Sequence, residues 1–290
     1  MKTLVVLMAL VVSLLASGPV VSGEWVSVYE KDASVVIVDV SSPEAYGDGH
    51  IPGAMNSPLE KWRTAVGAHA EVRPIDALQA EMRRLGIHKD SKVVVYAHNT
   101  DNKDLLRATY VIWAMAYAGF ENTMLLDGGL ASFVKVTGLL SKKAEADRNG
   151  RYTARTDASK LAKLDEVKAA VGHIPMVDSR PAVYYFGADR QDVLARPGHI
   201  TGAHSYFWRY SLDADNTLKS KQQLREMLEA GMGLDRTAPL IVYCTGGLEA
   251  SMNYFVLHRV LGFEKAKLYD ASMKEWGNRD DTPMTLFRWE

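Results

Sequence analysis

The chain has one cysteine. Cys244 ends the apolar run Leu240-Ile241-Val242-Tyr243, and Thr245, Gly246, Gly247, Leu248 and Glu249 follow it into a helical pattern, EASMNYFVLHRVLG. The thiolate is the nucleophilic form of cysteine, and a free thiol with a pKa of about 8.5 is barely ionised at neutral pH. Two consecutive glycines let the backbone curl so that successive N–H groups converge, making a concave anion site. The start of the following helix adds unpaired N–H groups and the positive end of its dipole. The pattern predicts a thiol whose pKa falls below its free value, in a cradle that would also hold an anionic persulfide. The competing reading is a small core hydrophobe, since free cysteines are often buried; the position at a strand end before a glycine pair favours chemistry. A Cys-x5-Arg phosphate loop is excluded, because the sixth residue after Cys244 is Ala250 and 244–251 contains no arginine.

The elements that must position this cysteine occur twice. VVIVDVSSPEAYGDGHIPGAMNSP (35–58) and IPMVDSRPAVYYFGADRQDVLARPGHITGAHSY (174–206) share an apolar strand ending in Val-Asp, then a loop, then Gly-His-Ile-x-Gly-Ala. Asp39 thus corresponds to Asp178, and His50 to His199. Helical patterns follow, PIDALQAEMRRLG (74–86) and SKQQLREMLEAG (220–231); in the first, Ile75, Leu78, Met82 and Leu85 share a face and Gly86 supplies the stop. Buried strands come next, KVVVYA (92–97) and LIVYC (240–244), each followed by an apolar helix and a short strand. The period is that of a domain, and near-continuous apolar strands alternating with helices imply a parallel sheet covered on both faces. Ala97 is the first-half counterpart of Cys244. Both histidines recur whether or not a nucleophile is present, so a structural role is expected for them and for the paired aspartates.

The N-terminal sequence MKTLVVLMALVVSLLASGPVVSGEW has one lysine, an apolar stretch from Leu4 to Ala16 and small residues before Glu24. That is the layout of a secretory signal peptide, and the stretch is shorter than the roughly 20 residues a spanning helix needs. The expected division is a signal peptide at 1–23, a first domain at 24–140, a charged linker at 141–155 and a second domain at 156–290. Removing 1–23 takes away Lys2 alone, so the formal charge goes from −1 to −2 and gives no basis for nucleic-acid binding. A lone cysteine cannot form an internal disulfide, and its retention in an exported protein suggests a use. No metal-ligand spacing, Walker-type loop or dinucleotide fingerprint occurs, so no cofactor is expected.

These landmarks resemble the rhodanese family, in particular its tandem-domain sulfurtransferases, over essentially the whole mature chain. The resemblance implies two α/β domains, each with a central parallel sheet, the first without a nucleophile. It also implies a six-residue loop, Cys244 to Glu249, whose cysteine carries transferable sulfur as a persulfide between a small donor, thiosulfate or 3-mercaptopyruvate, and a thiophilic acceptor, a small molecule or a protein. A persulfide carrier without turnover, or a sulfur- or selenium-binding module, is the alternative. The loop departs from the family's usual forms: Thr245 and Gly246 stand where thiosulfate-using members have basic residues, and Glu249 is acidic where a small hydroxyl residue is common. Arg180, which lacks a first-half counterpart, and Arg190 are then the residues expected to bind an anionic donor, with Thr245, Gly246, Gly247, Leu248 and Glu249 lining the site.

Overall fold

The computed structural model describes residues 18–98 and 103–290. The apolar part of the expected signal peptide therefore lies outside the described residues, as do positions 99–102 of the loop after Ala97. Among the described residues no helix is long and apolar enough to cross a membrane.

In the first half the strands are β1 (Val20–Val21), β2 (Val35–Asp39), β3 (Met55–Asn56), β4 (Arg63–Val66), β5 (His69–Val72), β6 (Lys92–Tyr96) and β7 (Thr123–Leu126). Five of them form a parallel sheet in the order β1-β7-β6-β2-β3, while β4 and β5 make a separate antiparallel hairpin. The helices are α1 (Gly23–Tyr29), α2 (Pro43–Asp48), α3 (Ile75–Arg84), α4 (Asp104–Tyr117) and α5 (Gly129–Thr137). Leu78, Met82 and Leu85, expected on one face, are fully buried.

The second half repeats the plan. Its strands are β8 (Met176–Asp178), β9 (His199–Ile200), β10 (Ala203–Ser205), β11 (Leu240–Tyr243), β12 (Ala266–Leu268) and β13 (Met284–Thr285). Its helices are α6 (Leu164–Ala170), α7 (Ala182–Phe186), α8 (Lys221–Arg225), α9 (Leu248–Tyr254) and α10 (Ser272–Trp276). The parallel sheet runs β10-β8-β11-β12. This is the order β3-β2-β6-β7 again, so Ala97 follows β6 as Cys244 follows β11. Where β1 borders β7 in the first sheet, a single parallel bridge from Leu161 borders β12 at Leu268.

The first domain begins earlier than expected. Val20 and Val21 pair with Leu125 and Leu126, and Gly23 lies so close to Ser132 that a Cβ would overlap its carbonyl. The linker is also bound. Ser141 bridges to His50, Arg148 to Leu85, and the Tyr152 hydroxyl donates to the Ala118 carbonyl at 3.2 Å. It is a strap along the first domain. α4 and α9 pack side by side, Thr109 Oγ1 lies 2.8 Å from Ser251 Oγ, and one apolar core runs through both halves.

Candidate active site

Cys244 sits at the carboxyl end of central strand β11, where the loop turns into α9. Parallel α/β sheets bind ligands at such ends. Its N–H donates to Ser272 Oγ at 3.1 Å and its carbonyl accepts from the Met273 N–H at 3.0 Å, which fixes the loop's first residue to the start of α10. Ser272 holds φ at 55°, the left-handed region that Gly129 occupies in the first half. A non-glycine residue there is strained, and the strain places the hydroxyl behind Cys244. The Gly247 N–H reaches Cys244 Sγ at 3.1 Å, and the Gly246 and Ala250 N–H groups also face the sulfur. Gly247 has φ at 92°, and a Cβ there would overlap Asp270 Oδ1.

The cradle exists, yet the thiol is not lowered. Cys244 is 1 % exposed, and burial pushes its pKa up to about 12. The Glu249 charge adds to the rise, and the amides of Ala250, Gly246 and Gly247 only partly offset it. Desolvation disfavours the charged form of any acid. The expectation of a lowered thiol fails because it counted the amide dipoles and left out burial and the neighbouring carboxyl.

Glu249, in the first turn of α9, is partly buried. Its carboxyl lies in the field of Asp178 and Arg180, and its charge bears on the Cys244 thiol. Burial first, and the Asp178 charge second, raise its pKa to about 7 against the opposing Arg180 charge.

Arg180 is held inside the second domain, paired with Asp178. It is 1 % exposed, and its Nε and Nη2 meet the Asp178 carboxylate at 2.9 and 2.6 Å, with Nη2 also donating to the Gly198 carbonyl at 2.8 Å. The guanidinium is engaged in a buried ion pair, so its contacts here are structural, where the sequence led us to expect an anion ligand. In the first half Asp39 meets His98 Nε2 at 3.1 Å instead. Arg190 is exposed and gives one nitrogen to the Leu194 carbonyl at 3.0 Å. Its neighbour Gln191 accepts from Thr245 Oγ1 at 2.8 Å, which puts Arg190 on the rim of the loop. Leu248, partly buried, packs against the core.

The histidines hold turns. His199 stacks on Tyr185 at 3.7 Å and His50 on Tyr46 at 3.6 Å, each Nδ1 sitting 2.8 Å from the carbonyl of its stacked tyrosine.

Three further residues were absent from the sequence reading. Arg63 of β4 donates through Nη2 to the Gly246 carbonyl and lies over the Tyr110 ring at 5.0 Å. Asp270, 1 % exposed, accepts from the Val72 N–H and the Tyr110 hydroxyl at 2.7 Å each and pairs with Arg63 at 3.4 Å. The first domain thus grips the carboxylate behind Gly247. Lys274 lays its aliphatic stem along Gly246, its N–H donating to the Thr245 carbonyl at 2.9 Å. Asp270 follows the short strand after the apolar helix, in the stretch YDASMKEWG (269–277), and no signal pointed to Arg63. Among the described residues no group of acidic, histidine or cysteine side chains is arranged to hold a metal ion.

Comparison with known proteins agrees with the duplication. The rhodanese-like domain matches residues 22–135 and 158–279. Sulfur carrier protein TtuD of Thermus thermophilus is 31 % identical over 91 % of this chain and 95 % of its own. The 3-mercaptopyruvate sulfurtransferase of Escherichia coli is 29 % identical over 91 % and 96 %. A Haloferax volcanii protein provisionally named a thiosulfate sulfurtransferase is 30 % identical over 93 % and 96 %. Among solved structures, an EanB variant in complex with ergothioneine superposes with a TM-score of 0.83 at 20 % identity, covering 94 % of this chain and 71 % of that one. YnjE superposes at 0.82 with 18 % identity, over 93 % and 68 %. At these identities the structures share the fold.

Proposed function

This chain belongs to the rhodanese family, as a tandem pair of rhodanese-like domains, and from that premise we propose that it is a sulfurtransferase that carries sulfane sulfur on Cys244 as a persulfide. The observation that carries the reading is the sulfur itself: the chain's one cysteine, at the end of the central strand of the second domain, faced by three loop N–H groups. Such a cradle stabilises an anionic terminal sulfur as it would any anion.

The donor is a small anionic sulfur compound. With Arg180 engaged by Asp178, Arg190 and Lys274 on the rim are the cations left for its charged end. Attack on thiosulfate expels sulfite, a dianion whose charge must be met close to the sulfur, where Glu249 adds charge of the wrong sign. Attack on 3-mercaptopyruvate expels carbon as an enolate, which is quenched by one proton. The site therefore favours 3-mercaptopyruvate over thiosulfate, the reverse of the preference that an arginine-assisted site would have. The acceptor is a thiophile, either a small molecule or a protein thiol. The N-terminal apolar stretch leads us to place the reaction in the periplasm or an equivalent exported space.

Steady-state sulfur transfer from each donor to cyanide and to a thiol tests this, with Cys244→Ser as control. Turnover with 3-mercaptopyruvate and a gain of one sulfur atom in protein mass are expected, both lost in Cys244→Ser. The similarity to a protein named a sulfur carrier keeps a second reading: a carrier would gain the sulfur atom and stall after one equivalent.

A further inference from the structure

We propose that the recess between the strap and the end of α4 is a binding site for a small polyanion of the phosphate or diphosphate class, separate from the Cys244 site. The recess encloses about 620 Å³ and is lined by Lys89, by residues 119–122 after α4, and by Arg151, Tyr152, Thr153 and Arg155 of the strap. Its volume is that of a small-ligand site, roughly 300–1,000 Å³.

The backbone places the cations. Burial alternates along 151–155, as in any extended segment: Tyr152 is buried and Ala154 half-buried, while Arg151, Thr153 and Arg155 are exposed. Tyr152 meets Phe120 edge to face with ring centroids 5.1 Å apart, a buried aromatic pair on the wall. Gly119, with φ at 81°, lets the strap lie against the helix end, since a Cβ there would come within 3.0 Å of the Arg155 carbonyl. A helix C-terminus is the negative end of its dipole and would ordinarily repel an anion. Here its carbonyls are already engaged. That of Ala118 accepts from the Arg155 N–H at 3.1 Å and the Tyr152 hydroxyl at 3.2 Å, and that of Tyr117 from the Asp157 N–H at 2.8 Å.

The charge is uncompensated. Lys89, Arg151 and Arg155 are exposed, and among the described residues no carboxylate pairs with any of them. The one carboxylate on the wall, that of Glu121, is engaged by Lys160 at 2.8 Å and by Arg259. The chain as a whole has a formal charge of −1, so this cluster is local rather than part of a general excess of base. Guanidinium forks match phosphate oxygens in pairs, and an ammonium adds a point charge, a set suited to a dianion or more. The recess is remote from the sulfur chemistry. Near the start of α4, the Leu106 carbonyl and Thr109 meet Ser251 of α9, just past the Cys244 loop, and the recess lies beyond the other end of α4. The 14 residues of that helix separate the two by about 20 Å. An anion seated there is neither donor nor acceptor of the sulfur.

Isothermal titration of the protein with pyrophosphate at low salt tests the site. One saturable site is expected, weakening as salt is added. Combining Arg151→Gln with Arg155→Gln should lower the affinity by about tenfold or more, while Arg288→Gln, at an exposed arginine near the C-terminus, should bind as wild type. Thermal melts check that the variants fold; if the double variant does not, Lys89→Gln must show the loss. Absence of saturable binding, unchanged affinity in the double variant, or an equal loss in Arg288→Gln overturns the proposal. So does protection of Cys244 from iodoacetamide by pyrophosphate, which would put the anion at the sulfur site. None of these readouts depends on sulfur transfer, so the proposal stands or falls apart from the sulfurtransferase reading.

Discussion

Arg63, in a hairpin of the first domain, donates to the carbonyl of Gly246, inside the loop that Cys244 begins in the second. The two residues are 183 apart in the chain. The half that has alanine in place of the nucleophile therefore shapes the loop of the half that has it.

Replacing Arg63 by methionine keeps most of the stem and removes the donor. A hydrogen bond from a charged group contributes about 1.5–3 kcal/mol, so kcat/KM should fall by about tenfold or more. Steady-state kinetics and the alkylation rate of Cys244 check it; equal kcat/KM in the variant would mean that the contact does not order the loop.

Arg180→Ala should destabilise the fold without acting selectively on the KM of an anionic donor. Removing one partner strands the Asp178 charge in the interior, a loss of about 3–5 kcal/mol. Urea denaturation of Arg180→Ala reads it, and Arg180→Met combined with Asp178→Leu should recover much of the loss. A raised KM for thiosulfate at unchanged stability would restore the ligand role.

Acid should loosen the back of the domain interface. Burial pushes Glu121 up, but hydrogen bonds from His258 and Lys160 and the charges of Lys160 and Arg259 outweigh it and hold its pKa at about 2, against 4.5 for the unperturbed group. Lys160 lies at 2.8 Å and Arg259 at 2.5 Å. A folded-state value below the unfolded one means that the unfolded chain binds the proton more readily. The stabilisation is then complete above about pH 4.5 and is lost as pH falls toward 2. Thermal melts of wild type and Glu121→Gln should differ at neutral pH and converge in acid. A constant gap down to pH 2 would contradict the assignment.

A chain beginning at Glu24 should be less stable than one beginning at Gly18, because it lacks β1 and the Gly23 contact with Ser132. Signal cleavage is therefore expected at or before Gly18. Melting of the two truncated forms and the intact mass of exported protein check both statements.

Cys244, the doubled plan and the two Gly-His-Ile turns were legible because each depends on local pattern: strand period, glycine pairs, a motif repeated in order. The role of Arg180 was not, since a guanidinium two residues from an aspartate reads alike whether it points to solvent or folds back in. Its burial is set by Gly198, which lies on a different segment. Arg63 was hidden for the same reason at longer range, as its partners are on the other domain. Glu249 was read by its charge alone. Which way a helix's first turn faces depends on how the loop before it closes, and only then does burial raise the carboxyl's pKa and set its charge against the thiol.

The single bridge from Leu161 to Leu268, matching the two-residue β1 on the first sheet, bears on how the chain survives its own synthesis. Without these short additions, β7 and β12 would present open rows of amides and carbonyls, on which a second nascent chain can template cross-β growth. The first sheet is closed by β1, which precedes all its other strands in the chain, the second by Leu161, which precedes all the strands of its sheet. The β7 and β12 edges are thus met by polypeptide that is synthesised before those strands, leaving fewer open amides and carbonyls there for a second copy to pair with.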